Sequence, residues 1–305
     1  MRAQAASFAG IYPMLYAFFG RDGALDRAAM RRQVEACVRG GAHGVAVLGL
    51  GTEVGKLSPA ERRTVMAWAA EDLGGRLPLA VTVAEPTVER QMEFVRAAAG
   101  AGASWVILQP PPDRGAMPEA ELIRFFGAVA DVAPVPVAIQ NAPQYIGVGL
   151  SDEGLVALAR QHRNLKLLKA EGSALQVAAV IEATGGRLAV FNGRGGLELP
   201  DCLRAGCAGM IPSTDSFDVQ ARVFELMRSG RPEDEAEAER LYREILPLIV
   251  FVMQSIDQFL CYGKRLAARR LGLGEEVHDR QPAQRPTPLG LACLERYGRA
   301  LPPLP

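Results

Sequence analysis

The chain has 305 residues, 49% hydrophobic and 22% charged, with 34 Lys and Arg balancing 34 Asp and Glu. That balance leaves no net field to attract nucleic acid or an anionic membrane surface, and it favours a small, locally recognised ligand. Five scattered cysteines, Cys37, Cys202, Cys207, Cys261 and Cys293, form no CxxC pair, which argues against a disulfide framework or zinc site and suits a reducing cytoplasm.

Along the chain, short apolar runs alternate with longer stretches of helical period. The first run, 9–15, lies in a segment (8–19) resembling a signal-peptide core. Pro13 interrupts that segment and Arg21-Asp22-Gly23 reads as a turn, so a strand is expected instead. Further strands are expected at 44–48, 79–83, 105–108, 135–139, 165–169, 188–191 and 209–211. Helices are expected between them at 25–39, 59–72, 87–99, 119–131, 152–160 and 174–183. Ser58-Pro59-Ala60-Glu61 and Ser151-Asp152-Glu153 supply a cap and first-turn acidic groups for two of these. Glycines at 40, 41, 44, 100, 102, 206 and 209 mark where helices turn back into strands two, four and eight, and His43 reads as a turn residue there.

Strands apolar on both faces, each followed by a helix, imply a parallel sheet covered by helices. Eight such units closed on themselves make an α/β fold, the (β/α)8 TIM barrel. Residues 1–230 are assigned to that barrel and 231–305 to a C-terminal helical extension packed on it. The extension is helical over 233–270 with interruptions expected at Pro247 and Gly263, followed by a loop at 272–288 and a last helix at 289–301. No stretch approaches the length of a membrane span; the most apolar, 246–253, is short and contains Pro247.

Barrel enzymes build their sites from the loops at the C-terminal strand ends. Strand six ends there with Lys169, and Glu171 follows two residues later, on the same face. An amine in an apolar wall is easier to deprotonate and can attack a carbonyl to form a Schiff base, with a carboxylate beside it moving protons. The plainer alternative is a strand-end lysine neutralised by its neighbour. The turn Gly49 to Glu53 follows a strand, but its glycines miss the GxGxxG spacing, so dinucleotide binding is not expected; its amides and the Thr52 hydroxyl can hold a carboxylate. Asn192 to Gly196 is either a grip for a polyhydroxylated chain or a tight turn. His43, His162 and His278 lie away from the strand ends and no Asp/His/Glu set has ligand spacing, so neither metal nor cofactor is expected.

The order and spacing over residues 8–215 resemble the dihydrodipicolinate synthase and N-acetylneuraminate lyase family. The resemblance rests on the Gly/Thr turn ending in Glu53, Leu57-Ser58 with Glu61-Arg62, Asn141 and Pro143 after strand five, Asn164 and Lys169 on strand six, and Gly206, Gly209 and Ile211 around strand eight. It implies a class I lyase whose Lys169 forms a Schiff base with a 2-keto acid, and a homo-oligomer, dimer or tetramer. In relatives, tyrosines that reach across the dimer occupy the positions of Pro111 and Pro112 here. The family's Gly-Thr-Thr-Gly-Glu aligns with Gly49-Leu50-Gly51-Thr52-Glu53, its proton-relaying tyrosine with Gln140, and the arginine used for an aldehyde substrate's carboxylate with Tyr145. These departures argue against dihydrodipicolinate synthesis itself. Ile139-Gln140-Asn141-Ala142-Pro143 and the Lys-x-Glu of Lys169 and Glu171 look more like 2-keto-3-deoxy-L-arabonate dehydratases, whose pattern has Asp where Asn141 stands.

The expected activity is therefore a Schiff-base lyase acting on a 2-keto-3-deoxy sugar acid, as a dehydratase in preference to an aldolase or a dihydrodipicolinate synthase-like condensation. A barrel that binds a keto acid without turnover is the competing class. Lys169, Glu171 and Gln140 form the expected catalytic set. Gly51, Thr52, Glu53, Asn141 and Tyr145 are expected to bind substrate, together with Asn192, Gly193 and Ser213.

Overall fold

The computed structural model describes residues 8–112, 117–274 and 276–305; residues 1–7 and 113–116 of the expected barrel, and Glu275 of the expected 272–288 loop, lie outside them. Eight parallel strands run in chain order: β1 Gly10–Ile11, β2 Val45–Val47, β3 Leu79–Val83, β4 Trp105–Leu108, β5 Val137–Asn141, β6 Leu165–Ala170, β7 Ala189–Asn192 and β8 Gly209–Met210. They pair in the order β1-β8-β7-β6-β5-β4-β3-β2. Beyond β1 the chain crosses to the other edge: Ala46 N donates to Pro13 O at 2.9 Å and Leu15 N to Ala46 O at 2.9 Å. The two edges of the sheet thus meet in a barrel-like curl, with helices outside it.

Inside the curl, large residues face small ones. Tyr12, Trp105 and Phe191 pack with ring centroids 5.3–5.6 Å apart, while Ala46, Ala80 and Ala138 fill the same interior. The outward set, including Val47, Val81, Leu108, Ile139 and Val190, is buried under the helices. The expected caps form: Ser58 and Glu61 make a reciprocal capping box at Pro59–Leu73, and Ser151 accepts from Gly154 N.

One register shift bears on the rest of the fold. Val137 pairs with Leu165 but Ala138 pairs with Leu167, leaving Lys166 as the extra residue of a β-bulge. Leu165 accordingly faces the helices while Leu167 faces the interior. Strict alternation along 165–169 would place both on one face.

The tail departs from expectation. Pro232–Val252 runs through Pro247 without ending, and the break falls at Met253–Ser255, where Ser255 caps the next segment. That break turns the chain by 113°, and only Pro232–Val252 and Ile256–Leu271 taken together have the length and apolarity of a membrane span; no single helix among the described residues does. Gly263 lies within a π-helical segment, Phe259–Gly263. It is there for close approach, since a Cβ would stand 2.2 Å from Tyr16 Oη. Two helices absent from the sequence reading, Leu199–Arg204 and Phe217–Arg228, complete the outer layer. The tail loop is pinned by Arg280, which donates to both carboxylate oxygens of Glu61 at 2.7 and 3.0 Å.

Candidate active site

Lys169 and Glu171 are 5% and 6% exposed, and Lys169 Nζ lies 2.8 Å from Glu171 Oε1. On β6 Lys169 is in register with Gln140 of β5 on one side and Phe191 of β7 on the other. An ammonium and a carboxylate this deeply buried are tolerated because each is paired and the remaining acceptor sites of the carboxylate are filled. Gln140 Nε2 donates to Glu171 Oε1 at 3.2 Å, and the amide N–H of Arg194 donates to Oε2 at 2.8 Å. Gln140 Oε1 in turn accepts from Gln109 Nε2 at 2.8 Å. The direction of this chain follows from its end: an ionised carboxylate only accepts, so Gln140 presents its amide nitrogen to Glu171 and its oxygen to Gln109.

Two backbone features make room for the carboxylate. A Cβ on Gly193 would meet Glu171 Oε2 at 2.3 Å and Oε1 at 2.4 Å, so glycine is required for the carboxylate to sit where it does. Arg194 has φ of +54°, in the left-handed region that non-glycine residues rarely enter, and this conformation aims its N–H at Glu171. Gln144 Nε2 also donates to the backbone oxygen of Glu171.

The pair opens into a cavity of about 40 Å³ lined by Leu50, Gly51, Tyr145, Arg194, Met253 and Phe259, among others. No hydrogen bond among the described residues engages the amides of Leu50 and Gly51, two residues that line the cavity. Burial, then the charge of Glu171, pushes the Tyr145 phenol above its ordinary value, and the charge of Arg194 opposes the rise.

Of the expected substrate-binding residues, Gly51, Gly193 and Tyr145 are at or beside this cavity, and the others spend their polar groups elsewhere. Thr52 is 0% exposed; its hydroxyl donates to Leu15 O at 2.6 Å and accepts from Leu48 N at 3.0 Å, so it holds the turn and cannot take a substrate carboxylate. The buried Glu53 carboxylate is paired with Lys264 and with Lys56. Asn141 brackets Leu150, accepting from its N–H at 2.8 Å and donating to its carbonyl at 3.0 Å. Asn192 donates to Gly172 O at 2.9 Å and accepts from Gly193 N at 2.9 Å. Ser213 donates to Asp215 Oδ2 at 2.6 Å, where Tyr16 also donates at 2.8 Å. Burial raises the Asp215 carboxyl, against the pull of these hydroxyls and that of Ser216. These five residues thus spend their polar groups on backbone or charged partners within the protein.

The sequence reading misses Gln109 and Gln144 as parts of the site, has Arg194 only as one residue of the 192–196 segment, and misses the roof residues Met253, Ile256 and Phe259 from the tail. A glutamine at a strand end carries no distinguishing signal, and the left-handed Arg194 has none either. Among the described residues no three His, Cys, Asp or Glu side chains converge on a point that could hold a metal ion.

Residues 7–288 match the model of the Dihydrodipicolinate synthetase family. A 4-hydroxy-tetrahydrodipicolinate synthase of Stenotrophomonas maltophilia (strain R551-3) is 32% identical over 205 residues, covering 67% of this chain and 68% of that protein. An L-2-keto-3-deoxyarabonate dehydratase of Azospirillum brasilense is 28% identical over 245 residues, covering 79% of this chain and 78% of that protein. In fold the chain is similar to a dihydrodipicolinate synthase of Acinetobacter baumannii solved with pyruvate, with a TM-score of 0.85 at 20% identity over 96% of this chain and 98% of the other.

Proposed function

Because this chain belongs to the dihydrodipicolinate synthetase family, whose members are lyases, we propose that it is a lysine Schiff-base dehydratase of a 2-keto-3-deoxy sugar acid. The observation that carries the reading is the buried Lys169–Glu171 pair at 2.8 Å with Gln140, a group unable to titrate, in register beside the lysine.

Lys169 passes a proton to Glu171, its free amine adds to the keto carbon C2, and Glu171 returns the proton to the departing oxygen, so that water leaves and an iminium forms. The iminium withdraws electrons from C3, so Glu171 removes a C3 proton and an enamine results. The enamine pushes out the C4 hydroxyl, which takes the proton back from Glu171 and departs as water. Hydrolysis of the conjugated iminium then releases the dehydrated acid and restores Lys169. The free amides of Leu50 and Gly51 suit the C1 carboxylate, and Tyr145 and Arg194 suit the sugar oxygens. Gln109 and Gln140 fix the carboxylate that moves the proton. Retro-aldol cleavage instead needs a base at the C4 hydroxyl, and Gln140, in register beside Lys169 on β5, cannot act as one.

The free space beside Lys169, about 40 Å³, holds only a few waters, each needing about 10–15 Å³ by that measure. A five- or six-carbon acid therefore enters with displacement of the roof residues Met253, Ile256 and Phe259. Incubation with pyruvate and borohydride, followed by intact mass and peptide mapping, tests the imine; an adduct on Lys169 that Lys169→Ala abolishes is expected. A panel of 2-keto-3-deoxy acids then separates the reactions, because loss of water and chain cleavage give different product masses. No adduct on any lysine would favour a barrel that binds a keto acid without turnover.

A further inference from the structure

The larger cavity, about 1220 Å³, lies at the opposite ends of the strands, where Pro136, Leu165, Leu188 and Ala208 open β5 to β8. Besides Arg204, five cations line it: Arg160, Arg163, Lys166, Arg187 and Arg228. All are exposed, and none forms an ion pair among the described residues. The one carboxylate on the wall, Glu235, is taken by Arg204 at 2.6 Å. In a chain with 34 basic and 34 acidic residues, five unpaired charges of one sign in one concavity is an asymmetry that packing does not require, and their mutual repulsion is relieved by an anion.

A second, independent feature points to the same place. Lys166 is the extra residue of the β6 bulge, so the backbone irregularity itself puts a cation on this groove. Bulges recur beside functional sites, where they re-aim a side chain. The same lining includes the apolar residues Phe8, Leu188, Leu203 and Phe224. Four of the five cations are arginines, whose planar fork matches phosphate oxygens in pairs.

We propose that this groove binds a small molecule carrying two or more phosphate groups on an apolar or aromatic body, at a site separate from Lys169. The volume exceeds the roughly 300–1,000 Å³ usual for small-molecule pockets, enough for a nucleotide-sized ligand with its waters. The two sites share β6, which carries Lys166 at one end and Lys169 toward the other. No Lys169 chemistry enters the inference, so it stands or falls independently of the lyase reading.

Titration calorimetry of the full chain with magnesium-free ATP, inorganic tripolyphosphate and citrate at low ionic strength is the test. Saturable binding of ATP is expected, weakening as salt rises because the cations are exposed. Lys166→Glu with Arg187→Glu should lower the affinity by about tenfold or more. Arg163→Ala with Arg228→Ala is the alternative pair if the first fails to fold, and should weaken binding in the same direction. ATP binding more tightly than tripolyphosphate would show the apolar lining contributing; equal affinity would show that charge alone suffices, and both support a phosphate site. Absence of saturable binding by either phosphate probe, citrate binding as tightly as ATP, or unchanged affinity in a folded double variant would overturn the proposal.

Discussion

Gly193→Ala is the most direct test of the carboxylate's position. The added Cβ would lie 2.3 Å from Glu171 Oε2, 2.4 Å from Oε1 and 2.5 Å from Cδ. Non-bonded carbon and oxygen atoms need about 3.3 Å or more, so the carboxylate has to retreat by about 1 Å. That shift pulls Oε1 away from Lys169 Nζ, now at 2.8 Å, and Oε2 away from the Arg194 amide, also at 2.8 Å. Lys169 itself is untouched, since it is held by β6 and not by Gly193. A misplacement of about 1 Å can cost about 10²-fold in rate, so turnover should fall by about that factor while borohydride trapping with pyruvate still labels Lys169. The assay pairs that mass measurement with product formation on the best keto-deoxy acid of the panel, and circular dichroism confirms the fold. Turnover within about threefold of the parent, against the roughly 10²-fold scale of proton-transfer contributions, would mean that the carboxylate's present position is not the working one.

Glu171→Gln should retain the Lys169 adduct and lose turnover by about 10²-fold or more. It is less innocent than its shape suggests, because both carboxylate oxygens accept hydrogen bonds and the new NH2 has to face a donor wherever it points. Normal turnover with unchanged pH dependence would remove Glu171 from the mechanism. For the tail, the Arg280 guanidinium holds the Glu61 carboxyl at about 2, below its ordinary 4.5. A depressed carboxyl contributes stability that is full above the unfolded value and is lost as pH falls through the folded one. Glu61→Gln should therefore lower Tm at pH 7, by an amount corresponding to about 1–2 kcal/mol after allowing for its partial exposure. The gap should narrow as pH drops from 4.5 toward 2, and a gap independent of pH would refute the ion-pair account. Thr52→Val should cost stability by removing a buried hydroxyl that serves two backbone groups, about 1–3 kcal/mol by denaturant titration, while leaving pyruvate trapping intact. Loss of trapping in a stable Thr52→Val protein would restore Thr52 as a ligand of the substrate.

The alternation of strands and helices was legible because a strand buried on both faces and a helix buried on one leave different periods in the chain, and β3 and β4 match their expected bounds to the residue. The pairing of Lys169 with Glu171 was legible for the same kind of reason, since two residues apart along an extended backbone means one face. Which strand-end polar groups turn inward was not. Asn141 and Ser213 close on Leu150 and Asp215 within their own loops, while Thr52 and Asn192 bond to Leu15 O and Gly172 O from other strand ends, whose approach no local pattern encodes. The bulge at Lys166 is equally silent, because a lysine between two leucines reads as ordinary alternation until the neighbouring strand sets the register. Local periodicity records what each segment buries; only the packed sheet and the tail decide which side chains have a partner already and which are left facing the cavity.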